Sequence, residues 1–471
     1  MLLGVLLALV VAMLAVAYFV SDRNIVAPSV LFSAGFAGSI LCALAYQGKW
    51  GFSLHFNTFL VIAGGIATFI AFSALTEHLF EQVRLRRRKG ADAAGAASGE
   101  TATLGVREPA TVALLILAAL DVVTMVWMLV KIQAFFPDAS LAEAIRKYDG
   151  AIKFSTKDLS FGSPLTQLKS LALFTGYYVC FVVAYEIHLH HVRTLKFLAA
   201  ALALVSAITL SLATGGREQA ICYVVATIAC FLLIRIRTGR QARLTPKTAV
   251  IALVVAAAVV AAFLVFAAVR GVQQSSTDYI AEYLGAEIHN LDHFLNNYSP
   301  HKILVWGGMT FANLLNFIGD KLHIAALNYQ LDLPFLKSNG YDMGNVYTTF
   351  YAFIYDFGYA GVPILTAIMA VASQAAFEMA SRVAKATRAD FWITVYAYLA
   401  FQVLFCFFSN KFYENAFGDS ALRFLTYVFI GRTLLLYCNR SGFAAARAWA
   451  GSLSARRGEK DGSSPSRHLK S

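Results

Sequence analysis

This chain predicts an all-α, polytopic membrane fold of about eleven spanning helices, and three observations carry that expectation. The first is composition: 58% of the 471 residues are hydrophobic, only 14% are charged, and the mean hydropathy is +0.62. Soluble domains carry about 25% charged residues. The second is block structure, since apolar runs recur at lengths near the ~20 residues that cross ~30 Å of hydrocarbon. The third is that basic residues gather in every second connection, as they do in cytoplasmic loops.

In chain order the spans fall near 1–20, 27–46, 55–79, 109–131, 166–186, 196–213, 219–235, 249–269, 346–380, 391–408 and 419–437. Ala15-Val16-Ala17 imitates a signal-peptide cleavage site, but no basic segment precedes the apolar run, so the first span reads as a retained helix. Helices 1–3 occupy 1–80, followed by a basic, flexible loop at 81–108. Helices 4–8 fill 109–269, with a loop at 135–165 on the opposite side. A large loop at 270–343 precedes helices 9–11 (344–437) and a basic, Ser-rich, disordered tail (438–471).

The arginines fix the sides. Arg84 and Arg86 follow the third span, Arg235 and Arg237 the seventh, Arg382 and Arg388 the ninth, and Arg440 and Arg447 the last. Strict alternation puts all of them on one side, which makes that side cytoplasmic and places the amino end and the large loop outside. The net charge of +12 therefore reads as membrane orientation and excludes nucleic acid as its explanation. Cys42, Cys180, Cys222, Cys230, Cys406 and Cys438 lie in or beside apolar runs without a C-x-x-C pair, so neither a disulfide framework nor a zinc site is indicated. No metal and no cofactor is expected.

Three stretches could carry chemistry. Residues 344–361 read GNVYTTFYAFIYDFGYAG. Wound at 100° per residue, they put Asn345, Thr349, Ala352, Asp356 and Tyr359 on one helical face. A carboxylate at the mouth of a membrane helix is costly unless it points into a polar cavity. The competing reading is a helix cap within an aromatic interface belt. The second stretch, Thr214-Gly215-Gly216-Arg217-Glu218, opens a helix on the outer side. Its glycines let backbone N–H groups converge, and Arg217 adds a planar fork suited to phosphate oxygens. A tight turn with a snorkelling arginine is the structural alternative.

The third stretch, 277–297, has Ile280, Leu284, Ile288, Leu291 and Leu295 at helical spacing. Asp278, Glu282, His289 and His293 gather roughly 150° away. That face could hold a general base or bind sugar hydroxyls. Equally, the segment could be an amphipathic helix lying on the membrane surface. His289 and His293 have the i,i+4 spacing of metal ligands, but no H-E-x-x-H arrangement accompanies them. Asp121, mid-span in the fourth helix, reads as a buried structural carboxyl.

The N-V-Y-T-x-F of Asn345–Phe350, followed by the D-F-G-x-x-G of Asp356–Gly361, resembles the corresponding stretch of Wzy-type O-antigen or oligosaccharide repeat-unit polymerases. These are multi-pass glycosyltransferases of the bacterial inner membrane, and Arg217 at a helix mouth adds a second matching patch. The resemblance implies a GT-C-like membrane enzyme with a periplasmic amino end, a large periplasmic loop and a cytoplasmic carboxyl end. Its donor and acceptor would be glycans linked to undecaprenyl pyrophosphate, met at the lipid bilayer, with a chain-length regulator as partner. Diphosphate is already a good leaving group, so such an enzyme must chiefly neutralise it, orient the acceptor and accept a proton. Arg217 and Arg270 are the candidates for the diphosphate. Asp356, Glu282, Glu287, His289 or His293 would serve the acceptor, with Asn345, Tyr347 and Thr349 lining the site. An O-antigen ligase-like transferase and a flippase for lipid-linked oligosaccharide are the alternatives.

Overall fold

The computed structural model describes residues 1–93, 106–154, 159–189, 192, 194–213, 218–240, 242, 275–297, 305–328, 331, 333–383 and 385–437. Fifteen helices appear among them, and nine of these are long and apolar enough to cross a membrane. The first are α1 (Leu2–Val20), α2 (Pro28–Trp50), α3 (Phe56–Ala93) and α4 (Thr111–Phe135). After the short α5 (Leu141–Phe154) come α6 (Ser163–His188), α7 (Leu195–Leu212) and α8 (Glu218–Arg237). Next are α9 (Ser276–Asn296), α10 (Ala312–Leu322), α11 (Thr349–Phe357) and α12 (Gly361–Glu378), which continues as a π turn to Val383. α13 (Ala389–Leu404), α14 (Lys411–Ala416) and α15 (419–437) close the fold. The nine candidate spans are α1–α4, α6–α8, α12 and α13.

Local chemistry sets the ends. α2 begins with Pro28, whose fixed φ suits the first helical turn, and stops at Gly51 in the left-handed region (φ 62°). Thr194 caps α7 by accepting from the Phe197 N–H at 3.1 Å. Along α4 and α7, Val123, Val130, Leu198 and Val205 stand out from the bundle, with Val123 and Val130 each 62% exposed. Apolar stripes of that extent are unfavourable against water and natural against lipid tails. This is the make-up of an all-α polytopic membrane protein.

Two apolar cores fill the bundle. One gathers Tyr177, Phe181, Tyr223, Tyr396 and Phe424 from α6, α8, α13 and α15. The other gathers Phe32, Phe36, Phe69, Phe350 and Phe353 from α2, α3 and α11. α3 and α12 pack side by side and run parallel, their starts meeting at Asn57 and Pro363 and their ends at Glu77 and Arg382. At one end Arg382 reaches Asp22 (2.9 Å) and Glu77 (3.4 Å), and Arg237 donates to the Ala380 carbonyl at 2.8 Å. Nearby, Arg432 grips Asp390 through two nitrogens at 2.7 and 3.0 Å. This basic end carries Arg84, Arg235 and Arg382, in line with the alternation of basic loops along the sequence. The other end carries a two-stranded hairpin.

Several sequence expectations need correction. The span expected at 346–380 is broken: α11 ends at Phe357, Gly358 takes φ 64°, and α12 starts afresh at Gly361. Within the large loop, the helix α9 packs against α2 and α3. That loop also contains strands β1 (Leu336–Ser338) and β2 (Tyr341–Gly344), joined through Asn339 and Gly340, both at positive φ (49° and 81°). An Asn-Gly turn of this kind matches the right-handed twist of a hairpin. The eighth expected span, 249–269, lies outside the described residues, as do 94–105 of the basic loop and the whole 438–471 tail. Residues 419–437 are helical but do not count among the nine candidate spans.

Candidate functional site

The hairpin end is built where α9, the hairpin, α11 and the α13–α14 connection meet. α9 reaches this position because a small residue lets two backbones approach. A Cβ on Gly285 would lie 2.8 Å from the Ala43 nitrogen of α2, closer than side chains pack, so glycine sets the α2–α9 crossing. Residues 285–292 of α9 are buried on every side. The surface-lying amphipathic helix is therefore overturned. Asn290 then ties α9 to the motif, its amide donating to the Met343 and Val346 carbonyls, both at 2.9 Å.

The motif of 344–361 splits into three local structures. Gly344, at φ 61°, ends β2, and Asn345 sits in the following turn. α11 starts only at Thr349, and Tyr359 lies beyond its end in the Gly358–Ala360 break, 47% exposed. The shared helical face of Asn345, Thr349, Ala352, Asp356 and Tyr359 is thus corrected to Thr349, Ala352 and Asp356. Tyr347 is buried, donates its hydroxyl to the Pro334 carbonyl at 3.0 Å and lies tilted against the Tyr351 ring, centroids 4.3 Å apart. Burial pushes that hydroxyl up to about 12.

Asp356 is 1% exposed. Its two oxygens accept the backbone N–H groups of Met309 (3.2 Å) and Thr310 (2.6 Å). Those amides come from the turn just before α10, and the Thr310 hydroxyl returns a hydrogen bond to the Ala352 carbonyl at 3.1 Å. Thr349 donates to the Asn410 side-chain oxygen at 3.0 Å, while the Asn410 amide donates to the Thr310 carbonyl at 2.9 Å. Asp356, Thr310, Asn410 and Thr349 thus form one buried network that pins the turn at 305–311 and the α13–α14 connection to α11. This is the geometry of an anchor.

The polar residues of α9 divide by environment. Glu282 is half-buried beside Gly344, and Asp278 pairs with Lys49 at 3.0 Å. His293 is exposed, whereas His289 is buried edge-on to Phe52 and 3.1 Å from the Asn290 side-chain oxygen. Burial holds the His289 imidazole below its ordinary value, so it is neutral. Glu287 is fully buried toward Ser39 of α2, and neither of its oxygens has a hydrogen-bond partner among the described residues. Burial raises its carboxyl well above the ordinary range. Arg217 and Arg270 lie outside the described residues.

No family model, no curated protein and no solved structure matches the chain.

Two features at this end went unread in the sequence. Lys411, the first residue of α14, sits 2.9 Å from Glu218, the residue that follows Arg217 in the chain. Burial pulls the Lys411 ammonium down, but the Glu218 and Glu414 carboxylates outweigh it and hold it above its ordinary value. It is a cation at neutral pH. The second feature is Asp292, 3% exposed, which accepts from the His55 backbone N–H (2.8 Å), the His55 Nδ1 (2.7 Å) and the Thr58 hydroxyl (2.6 Å). Neither residue belongs to a recognisable motif. A groove of about 270 Å³ begins two residues past His55, lined by Asn57, Leu60, Gly64 and Thr68 of α3 with Tyr359 and Pro363 opposite.

Proposed function

We propose that the chain joins oligosaccharide repeat units carried on undecaprenyl pyrophosphate, working at its hairpin end, which on this reading faces the periplasm of a bacterial inner membrane. One observation carries the reading. The segment that resembles the polymerases, 344–361, is where α9, the turn before α10 and the α13–α14 connection are all tied together, through Asn290, Asp356 and Thr349. A motif that only sealed a helix end would need none of those long-range ties.

In the proposed reaction an acceptor sugar hydroxyl attacks the anomeric carbon of the donor glycan. The bond from that carbon to the diphosphate oxygen breaks, and the diphosphate leaves with the electron pair. Arg217 and Arg270 neutralise it, and Lys411 adds positive charge next to the chain position of Arg217. Asp356 and Thr349 act as positioning residues, because their polar atoms hold neighbouring loops. Glu282 and His293 are more accessible than Glu287 and His289 and take the role of contacts to sugar hydroxyls. Buried Glu287 and His289 support the packing of α9 beneath them.

The decisive measurement is glycan length. A strain lacking this chain is expected to carry single repeat units on its lipid carrier, restored to polymer by the wild-type chain. Loss of all surface glycan would indicate a ligase or flippase instead. Orientation has its own check in a cysteine-free background. Cysteines replacing Ser276 and Lys337, both exposed at the hairpin end, are expected to react with a membrane-impermeant thiol reagent in intact spheroplasts. One replacing Ser98 should react only after lysis. The reverse pattern would put the hairpin end in the cytoplasm and end the argument for a lipid-diphosphate donor.

A further inference from the structure

The geometry points to His55 as the base that takes the acceptor hydroxyl's proton, with Asp292 as its positioning residue; this deepens the polymerase reading and rests on it.

The argument starts from what Asp292 does with its two oxygens. Oδ1 takes the His55 backbone N–H and the Thr58 hydroxyl, which is ordinary capping of the first turn of α3. Oδ2 is not needed for that cap. It meets the His55 ring at Nδ1, 2.7 Å away. A carboxylate only accepts hydrogen bonds, so Nδ1 is the donor to it, and in the neutral imidazole that tautomer leaves the lone pair on Nε2. The Asp292 side chain is 5% exposed and the His55 side chain 51% exposed. One end of the imidazole is therefore held from inside the protein, while about half of the side chain remains exposed.

A cap alone does not account for this arrangement. Helix caps are usually supplied by the residue that begins the helix, whereas this one comes from 237 residues further along the chain. Location supplies the second observation. The groove between α3 and α12 starts at Asn57 and follows α3 to Thr68, eleven residues or roughly 16 Å. Its walls include exposed Leu60 together with Gly64 and Pro363. A reactant carried on a lipid chain thus has a lined approach from the membrane to the first turn of α3.

The atoms balance simply. The acceptor oxygen bonds to the anomeric carbon, its proton passes to His55 Nε2, and the bond to the diphosphate breaks with its electrons on the leaving oxygen. The imidazolium then returns its proton to water. Asp292 keeps the ring in one orientation through its contact with Nδ1, as a buried carboxylate does beside other catalytic imidazoles.

The test uses the purified full-length chain in detergent with a lipid-linked repeat-unit substrate. His55→Ala is expected to lower kcat at least ~100-fold, the lower range for a lost general base, with KM little changed. Added imidazole, which can enter the space beside an exposed ring, is expected to restore at least about tenfold of that loss. Asp292→Asn keeps an acceptor for the cap but removes the acceptor for Nδ1–H, so it should lower kcat without imidazole rescue. Gel filtration establishes that each variant is folded. If folded His55→Ala keeps kcat within about threefold of wild type, or if its loss is insensitive to imidazole, His55 is only part of the cap and the assignment fails. A wild-type preparation that lengthens no glycan removes the polymerase reading and this assignment together. A polymerising wild type beside an unimpaired His55→Ala removes the assignment alone.

Discussion

Asp356→Asn is expected to weaken the hairpin end more than the chemistry. Asparagine can still accept one of the two N–H groups from Met309 and Thr310, but its amide turns a donor toward the other. Leaving one buried donor unmatched costs about 1–3 kcal/mol, and Asp356→Ala orphans both, so the alanine variant should lose more. Thermal inactivation of the detergent-solubilised protein should shift accordingly, with alanine lower than asparagine and both lower than wild type. Activity per folded Asp356→Asn molecule should stay within a few-fold of normal. A stable variant whose polymerisation fell ~100-fold would return Asp356 to the proton-transfer step.

Arg217→Ala is expected to reduce the product to single repeat units while leaving the protein inserted. A charge-assisted contact to phosphate is worth about 1.5–3 kcal/mol, or roughly 10- to 100-fold at ~1.4 kcal/mol per decade. A contact that strengthens as the diphosphate leaves acts directly on kcat. Arg217→Lys should recover part of the length, since a point charge replaces the charge but not the fork. Glycan ladders from matched membranes, with protein levels measured alongside, decide it. Normal-length polymer from Arg217→Ala would take the diphosphate away from this residue.

The helices were legible because their signal is local. Blocks of Leu, Val and Ala set α1, α4 and α7, and nothing distant is required to read them. The break after α11 was also written locally, in Gly358 and Gly361, but the apolar run on both sides outweighed it. The hairpin carried the Asn339-Gly340 pair, a strong short-range signal masked by the surrounding loop. The long-range pairs were different in kind. His55 and Asp292 are unremarkable in their own neighbourhoods and acquire meaning only when α9 is laid beside α3. Lys411 likewise reads as one loop cation until Glu218 meets it. Glu287 and His289 were visible as polar residues on an amphipathic pattern, but their burial depended on Gly285 letting α9 approach Ala43, which the pattern of α9 alone could not show.

That approach has a consequence for how the chain is made. Asp292 emerges from the ribosome 237 residues after His55, so at ~5–20 residues per second the delay is roughly 10–50 s. During that interval α2 and α3 are already synthesised and inserted, yet the face of α2 that will meet Gly285 and Glu287 has no α9 to cover it. Ser39 and Cys42 must wait against lipid, an insertase or another helix, and the first turn of α3 waits without its cap. Biogenesis of this protein therefore includes a stage at which its amino-terminal third is integrated but unfinished, and it ends only when α9, and after it α11 and α12, pack against α2 and α3.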